Sequence, residues 1–182
     1  MVSRSAFLLL IFFLSIVIFG LWSFSYFSTG PERAGLPAQL SDSGIVVPYE
    51  DHFLLYVGNE YFFVTLAANA ADRRKGLSGT PSLREREGKL FVFPRSDTYG
   101  FWMKDMNYPI DIIWFDADGY VVHIESNVSP ETYPQTLSPK SEARYVLEIA
   151  AGKSAEYGID IGTPLKFSGG ITTCLRTGCY NK

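Results

Sequence analysis

Six side chains stand out as candidates for catalysis or ligand binding: Arg73, Trp102, Lys104, Asp105, Asp111 and Glu148. Two carboxylates such as Asp111 and Glu148 can serve as acid and base on a glycosidic bond if they converge in a cleft, roughly 5 to 9.5 Å apart. The same residues can also bind without reacting. In that reading Arg73 reaches Asp111 or Glu148, and Trp102 helps to wall a shallow groove for a small or polymeric envelope ligand. The sequence favours binding over hydrolysis. It holds no Gly-x-Ser-x-Gly elbow and no Ser-x-x-Lys, and both thiols, Cys174 and Cys179, stand near the C-terminus.

The remaining chemical residues have plain explanations. His123 has Glu125 two positions along and no nucleophile to activate, so it reads as a solvated or aromatic-stacked residue. Asp116-x-Asp118-Gly119 with Glu125 matches part of a calcium loop, but the first ligand position would be Trp114, which cannot coordinate an ion. Cys174 and Cys179 lack the further ligands that a tetrahedral metal site needs, and in an oxidising compartment they can close a small disulfide loop. No metal and no cofactor is therefore expected. Net charge is −3 and no Lys/Arg cluster is dense enough to track phosphates, which argues against nucleic acid.

The element that must position Asp111 is the hairpin at residues 110–125. A two-residue loop at Asp118-Gly119 would set Ala117 opposite Tyr120. Asp111, Ile113, Phe115, Tyr120, Val122 and Ile124 then share a face that should look into the core. Ile112, Trp114, Asp116, Val121, His123 and Glu125 share the other, which should be mixed and partly wet. Asp111 is the misfit of the apolar face. A carboxylate there needs a cation or several backbone N–H groups, and a structural role for it outweighs a catalytic one.

Around this hairpin the alternation predicts strands at residues 52–57, 61–67, 89–93, 145–151 and 164–167, with Pro94 ending the third. Asn69 is placed to cap a short helix running to about Leu77, and a helical turn is expected near residues 154–157. Phe101, Trp102 and Met103 form an apolar knot that reads as core packing ahead of a stacking platform. The Pro-bearing stretch 126–143 is long enough to be functional or mobile.

The chain's 182 residues suit one domain with appendages. Residues 1–27 contain an uncharged apolar run from Ala6 to Trp22 that continues through Phe27, long enough for a bilayer and lacking a good cleavage site. An uncleaved anchor is favoured over a cleaved signal. Arg4 precedes the run while Glu32 and Arg33 cancel after it, which sets the N-terminus inside and the domain outside the cytoplasm, at the cell membrane. Residues 28–48 read as a flexible linker, 49–168 as the folded domain and 169–182 as a Cys-bearing tail outside the core. The expected fold class is β-rich α+β: a small barrel-like or sandwich sheet with one or two short helices, preceded by a transmembrane helix.

Several separated pieces, in order, resemble one family. Arg73-Arg74-Lys75-Gly76-Leu77 is similar to its Arg-x-x-Gly-Leu element, and Gly88-Lys89-Leu90-Phe91-Val92-Phe93 to its Gly-Met-Leu-Phe-x-Phe strand. Phe101-Trp102-Met103-Lys104 followed by Pro109-Ile110-Asp111-Ile112-Ile113 is the most specific match, and Val146-Leu147-Glu148 with Ala151-Gly152 completes it. On these residues the chain resembles the domain of unknown function 192 family. Two positions depart: Asp105-Met106 stands where the family usually has Asn-Thr, and Ser78 where it has Met. The resemblance implies a compact β-rich fold behind a signal peptide or anchor, and implies no reaction. The resulting expectation is a membrane-anchored extracytoplasmic domain that binds a ligand or partner, with an envelope scaffold and then a hydrolase using Asp111 and Glu148 as alternatives.

Overall fold

The computed structural model describes residues 39–40, 46–47 and 51–177. The anchor expected at residues 1–27 lies outside the described residues, and among those described no helix is long and apolar enough to cross a membrane. Within the stretch read as a linker, β1 (Gln39–Leu40) pairs with β2 (Val46–Val47).

Seven strands build the main sheet: β3 (Phe53–Val57), β4 (Glu60–Ala67), β5 (Glu87–Asp97), β6 (Ile110–Phe115), β7 (Val121–Val128), β8 (Ala143–Ala150) and β9 (Leu165–Phe167). Their spatial order is β7-β6-β8-β5-β4-β3-β9. All neighbours are antiparallel except β4 and β5. A parallel pair needs a crossover, supplied here by α1 (Ala70–Lys75) and the loop after it. The two edges meet at one end: Val121 N–H donates to Thr163 O (3.0 Å), Gly162 N–H to Val121 O (2.8 Å) and Leu165 N–H to Gly119 O (2.7 Å). The sheet is a curled half-barrel, the barrel-like alternative of the two expected.

Its inner face is one apolar cluster drawn from every strand of the sheet, including Leu55, Phe62, Leu90, Phe115, Leu147 and Leu165. Alternation along β8 puts Leu147 and Ile149 on this face and leaves Glu148 on the other, as the sequence pattern predicts. The outer face carries a second cluster with Ile112, Trp114, Phe91 and Val146, closed over by Leu77, Phe101 and Met103. The expected wet face of the hairpin is therefore dry at Ile112 and Trp114, both 0% exposed. A strand covered on both sides reads as a continuous apolar run, and all six residues of β6 are buried.

The turn also differs from the expectation. Asp116 N–H donates to Tyr120 O (2.9 Å), so the loop is Ala117-Asp118-Gly119, with Gly119 at φ +84°. The Asp116 carboxylate accepts from Asp118 N–H (3.0 Å) and Tyr120 N–H (2.8 Å), which makes this acidic motif turn chemistry. A register shift between Trp114 and Phe115 absorbs the extra loop residue, so Trp114 still pairs with His123 and Ile113 with Ile124. One consequence is an exchange of faces: Val121 enters the inner cluster while Val122 packs on the outer one. Tyr120, expected inside, is exposed.

Among the described residues three helices are present, where one or two were expected in the domain: α1, α2 (Lys153–Glu156) and α3 (Gly169–Thr177). Asn69 caps α1 as predicted, accepting from Asp72 N–H at 2.9 Å. The tail does not lie outside the core. Ile171 of α3 is 0% exposed within the inner cluster, and burying such a side chain contributes roughly 1.5–3 kcal/mol. Cys174 of the same helix is buried and disulfide-bonded, and Cys179 lies outside the described residues. Pro94 does not end its strand: β5 continues to Asp97, which pairs with Ala143 after a register shift.

Candidate functional site

Glu148 sits at the middle of the outer face. Its cross-strand neighbours are Lys89 on β5 and Ile112 on β6, and directly opposed residues share a face. Thr65 lies beyond Lys89 in the same row and accepts a hydrogen bond from Lys89 Nζ at 3.2 Å. The next row is aromatic and aliphatic, with Phe91, Val146 and Trp114. A carboxyl and an ammonium thus stand on a surface that is otherwise built for apolar contact.

Two segments cover that surface. Gly76 ends α1 at φ +53°, its N–H donating to Asp72 O, and directs Leu77 back onto the sheet. The loop 98–109 supplies the aromatic cover. Tyr99 stacks on Phe93 (centroids 3.5 Å apart), and Phe101 meets Phe91 edge-on at 4.8 Å and Trp114 at 5.7 Å. Trp114 Nε1–H donates to Tyr99 O (3.0 Å), and Phe101 exchanges both backbone hydrogen bonds with Leu137. Residue 137 belongs to the Pro-bearing stretch, whose role here is to pin the loop.

Between these covers a cavity of ≈ 310 Å³ opens over Glu148. Its walls are Leu77, Phe91, Phe93, Tyr99, Phe101, Trp102 and Met106, with Arg73, Arg74, Lys75 and Ser78 contributing polar lining. Trp102 is half-exposed at 51%, whereas its neighbours Phe101 and Met103 are buried. The Phe-Trp-Met knot is thus divided: two residues pack into the core and the middle one faces outward. Lys89 borders a second, more polar cavity of ≈ 950 Å³ beside Thr65, Asp72 and Glu87. Gly76 and Leu77 line both cavities.

The electrostatics of the first cavity follow from burial. Glu148 is 5% exposed, and its Oε2 is buried without a hydrogen-bond partner. Loss of hydration pushes its carboxyl up to about 8, against the attraction of Lys89, so Glu148 carries its proton at neutral pH. Lys89 is moved down from its ordinary value by the same loss of hydration. Arg73 donates to Ala68 O (2.5 Å) and Val92 O (3.0 Å) and lies over the Phe93 ring at 5.2 Å. It reaches neither Asp111 nor Glu148, which corrects the expected pairing.

Asp111 is answered by the backbone instead of a cation. Its Oδ1 accepts from Asn127 N–H (2.8 Å) and Gly152 N–H (2.9 Å), and its Oδ2 from Ser154 N–H (2.8 Å) and Ser154 Oγ (2.6 Å). Fully buried, it ties the end of β6 to β7 and to the turn that opens α2. It pairs with Ile149 while Ile112 pairs with Glu148, so the two carboxylates project from opposite faces of the sheet. They cannot converge on one bond, and the hydrolase reading fails.

Lys104 and Asp105 are exposed, and neither lines the cavity. Their backbone carbonyls hold the cover in place, Lys104 O accepting from Ser78 Oγ (2.8 Å) and Asp105 O from Gly79 N–H (2.8 Å). Nearby, Tyr108 and Thr80 share a hydroxyl–hydroxyl hydrogen bond of 2.5 Å. His123 lies against the Trp114 ring at 5.3 Å, tilted by 50°, in line with the expected aromatic contact, and it also pairs with Glu125 Oε1 at 3.0 Å. Of the six residues singled out in the sequence, Arg73, Trp102 and Glu148 line one cavity. Lys89 was not among them. A lysine within an otherwise buried strand was the available signal, but only the β5–β8 register reveals Glu148 as its neighbour.

The chain belongs to the domain of unknown function 192 family (DUF192, uncharacterized ACR), whose model matches residues 55–167. That span takes in β4 to β9 and the whole wall of the cavity. Among solved structures, it is similar to a protein of unknown function from Novosphingobium aromaticivorans, with TM-score 0.62 and 28% identity over 76% of this chain and 98% of that one. It is also similar in fold to a candidate transcription regulator from Sinorhizobium meliloti, with TM-score 0.61 and 24% identity over 64% of this chain and 93% of that one. No curated protein matches the chain.

Proposed function

We propose that this chain is a membrane-anchored, extracytoplasmic binding module whose ligand occupies the aromatic cavity over Glu148. The observation that carries the reading is the buried Glu148 Oε2 without a partner, on the wall of an open cavity. An unsatisfied buried polar atom costs about 1–3 kcal/mol, and a ligand that supplies the missing partner recovers it. Aromatic walls with a few polar groups are the usual composition of a small-molecule site. The uncharged run at residues 6–22, preceded by Arg4, supports an anchor with the domain outside the cytoplasm.

Native mass spectrometry of the full chain, released from its own membrane in mild detergent, tests the proposal. A small-molecule adduct is expected on the wild type. It should be absent from Met106→Trp, which fills the cavity from its wall. No adduct on the wild type, or an equal adduct on both proteins, would count against the cavity as the site.

A further inference from the structure

We infer that this cavity selects small organic carboxylates with a flat apolar body, the ring lying among the aromatic walls and the carboxylate held between the α1 cations and Glu148. The inference rests on the binding reading above and names its ligand class. Size comes first: ≈ 310 Å³ is about ten waters' worth of space, enough for one or two rings. Flatness follows from the walls, where Phe91, Phe93, Phe101 and Trp102 offer ring faces and edges.

Charge decides the rest. Arg73, Arg74 and Lys75 line the cavity in succession, and among the described residues none of the three is in an ion pair. Arg73 is bound to backbone carbonyls, which leaves its charge uncancelled. Among the described residues the one acidic side chain in the lining is Glu148, which is protonated at neutral pH and so adds no negative charge. A cavity with three cations and no anion favours a negative guest. A protonated carboxyl with an unpartnered oxygen is also a donor, and O–H···O⁻ hydrogen bonds are among the stronger ones. A neutral amide would gain the ring contacts and lose the charge. A cation would meet repulsion.

Raising pH should turn the site against its guest, because an ionised Glu148 repels a carboxylate. The titratable and charged groups around Glu148 are Lys89 from β5, Arg73, Arg74 and Lys75 from α1, Tyr108 from the covering loop, and Glu125 from β7 beyond Ile112 in the same row. Lys89 is itself moved down from its ordinary value by burial, against the attraction of Glu148. Glu148 is the group whose change of charge reverses the preference.

The test compares 4-fluorobenzoate with 4-fluorobenzamide by 19F NMR line broadening, using the full chain in non-ionic detergent and detergent alone as reference. At pH 6.5 the benzoate should bind about tenfold more tightly than the amide. Arg74→Gln/Lys75→Gln, which changes two exposed side chains, should cut that preference several-fold by weakening benzoate binding. At pH 9.5 the wild type should lose about tenfold in benzoate affinity, while Glu148→Gln should show the same affinity at both pH values. An amide that binds as well as the benzoate, or a double variant that keeps the preference, would overturn the carboxylate inference and leave the cavity reading standing. Binding of neither probe, or equal binding of both to Met106→Trp, would overturn the two together.

Discussion

Replacing Glu148 with Gln should make the domain more stable at alkaline pH and remove a pH dependence that one buried carboxyl imposes. The folded protein holds Glu148 at about 8 where an unhindered glutamic acid stands at 4.5. Between those values the folded state keeps a proton that the unfolded chain has released. Stability must then fall as pH rises, by ~1.4 kcal/mol per pH unit. It is highest below 4.5 and levels off above about 8. Across that window the loss is on the order of 4–5 kcal/mol, a large part of the ~5–15 kcal/mol that holds a domain together. Gln has nearly the same shape and cannot ionise. The assay is urea unfolding of the full chain in detergent at a series of pH values, for wild type and Glu148→Gln. The difference between the two curves cancels the titrating groups that do not interact with Glu148, leaving Glu148 and its neighbour Lys89. The variant should match the wild type within ~1 kcal/mol near pH 5 and exceed it by several kcal/mol near pH 9. Parallel curves across the whole range would refute the reasoning.

Other substitutions separate the supporting structure from the cavity mouth. Asp111→Ala strands three backbone N–H groups and the Ser154 hydroxyl in a buried site, and should cost roughly 3–5 kcal/mol in chemical denaturation. Trp102→Ala at the half-exposed mouth should change stability by less than about 1 kcal/mol, whereas Phe101→Ala should cost roughly 3–5 kcal/mol, both read as shifts in melting temperature. Ile171→Ala should destabilise by roughly 2–5 kcal/mol if α3 closes the inner core as described. A negligible effect there would show that the helix is dispensable.

The outline of the sheet was legible because its signals are local. Alternation gave Tyr145, Leu147 and Ile149 one face and Glu148 the other, and Asn69 marked the start of α1. The misfit at Asp111 correctly announced buried donors, but its partners Asn127, Gly152 and Ser154 come from two other elements. A pattern along β6 cannot show whether a cation or a set of N–H groups will meet a carboxylate. The loop register was misjudged by one residue because an Asp-Gly pair suits both a two-residue turn and a three-residue loop with Gly at positive φ. The bulge that repairs the register downstream leaves no mark in the hydrophobic pattern.

The cavity was only half legible for a related reason. Its floor depends on β8 lying beside β5, and its roof on α1 and the loop 98–109 meeting over the outer face. Both are contacts between distant parts of the chain. Trp102, Arg73 and Glu148 were recognisable by type, but the residue that gives Glu148 its cross-strand neighbour, Lys89, sat within a strand that reads simply as buried. Ile171 was missed because the apolar contacts of this Gly-, Thr- and Cys-bearing tail, Ile171 and Leu175, are fewer than the longer apolar stripe a helix usually shows.

The central claim is that a carboxyl on the outer face of this half-barrel is shut away from water and stays protonated beside a lined cavity. Its most direct test is a 13C NMR titration of the Glu148 side-chain carboxyl, assigned by the loss of its signal in Glu148→Gln. The account predicts a midpoint near 8. A midpoint near 4.5, the value of a freely hydrated glutamic acid, would contradict it.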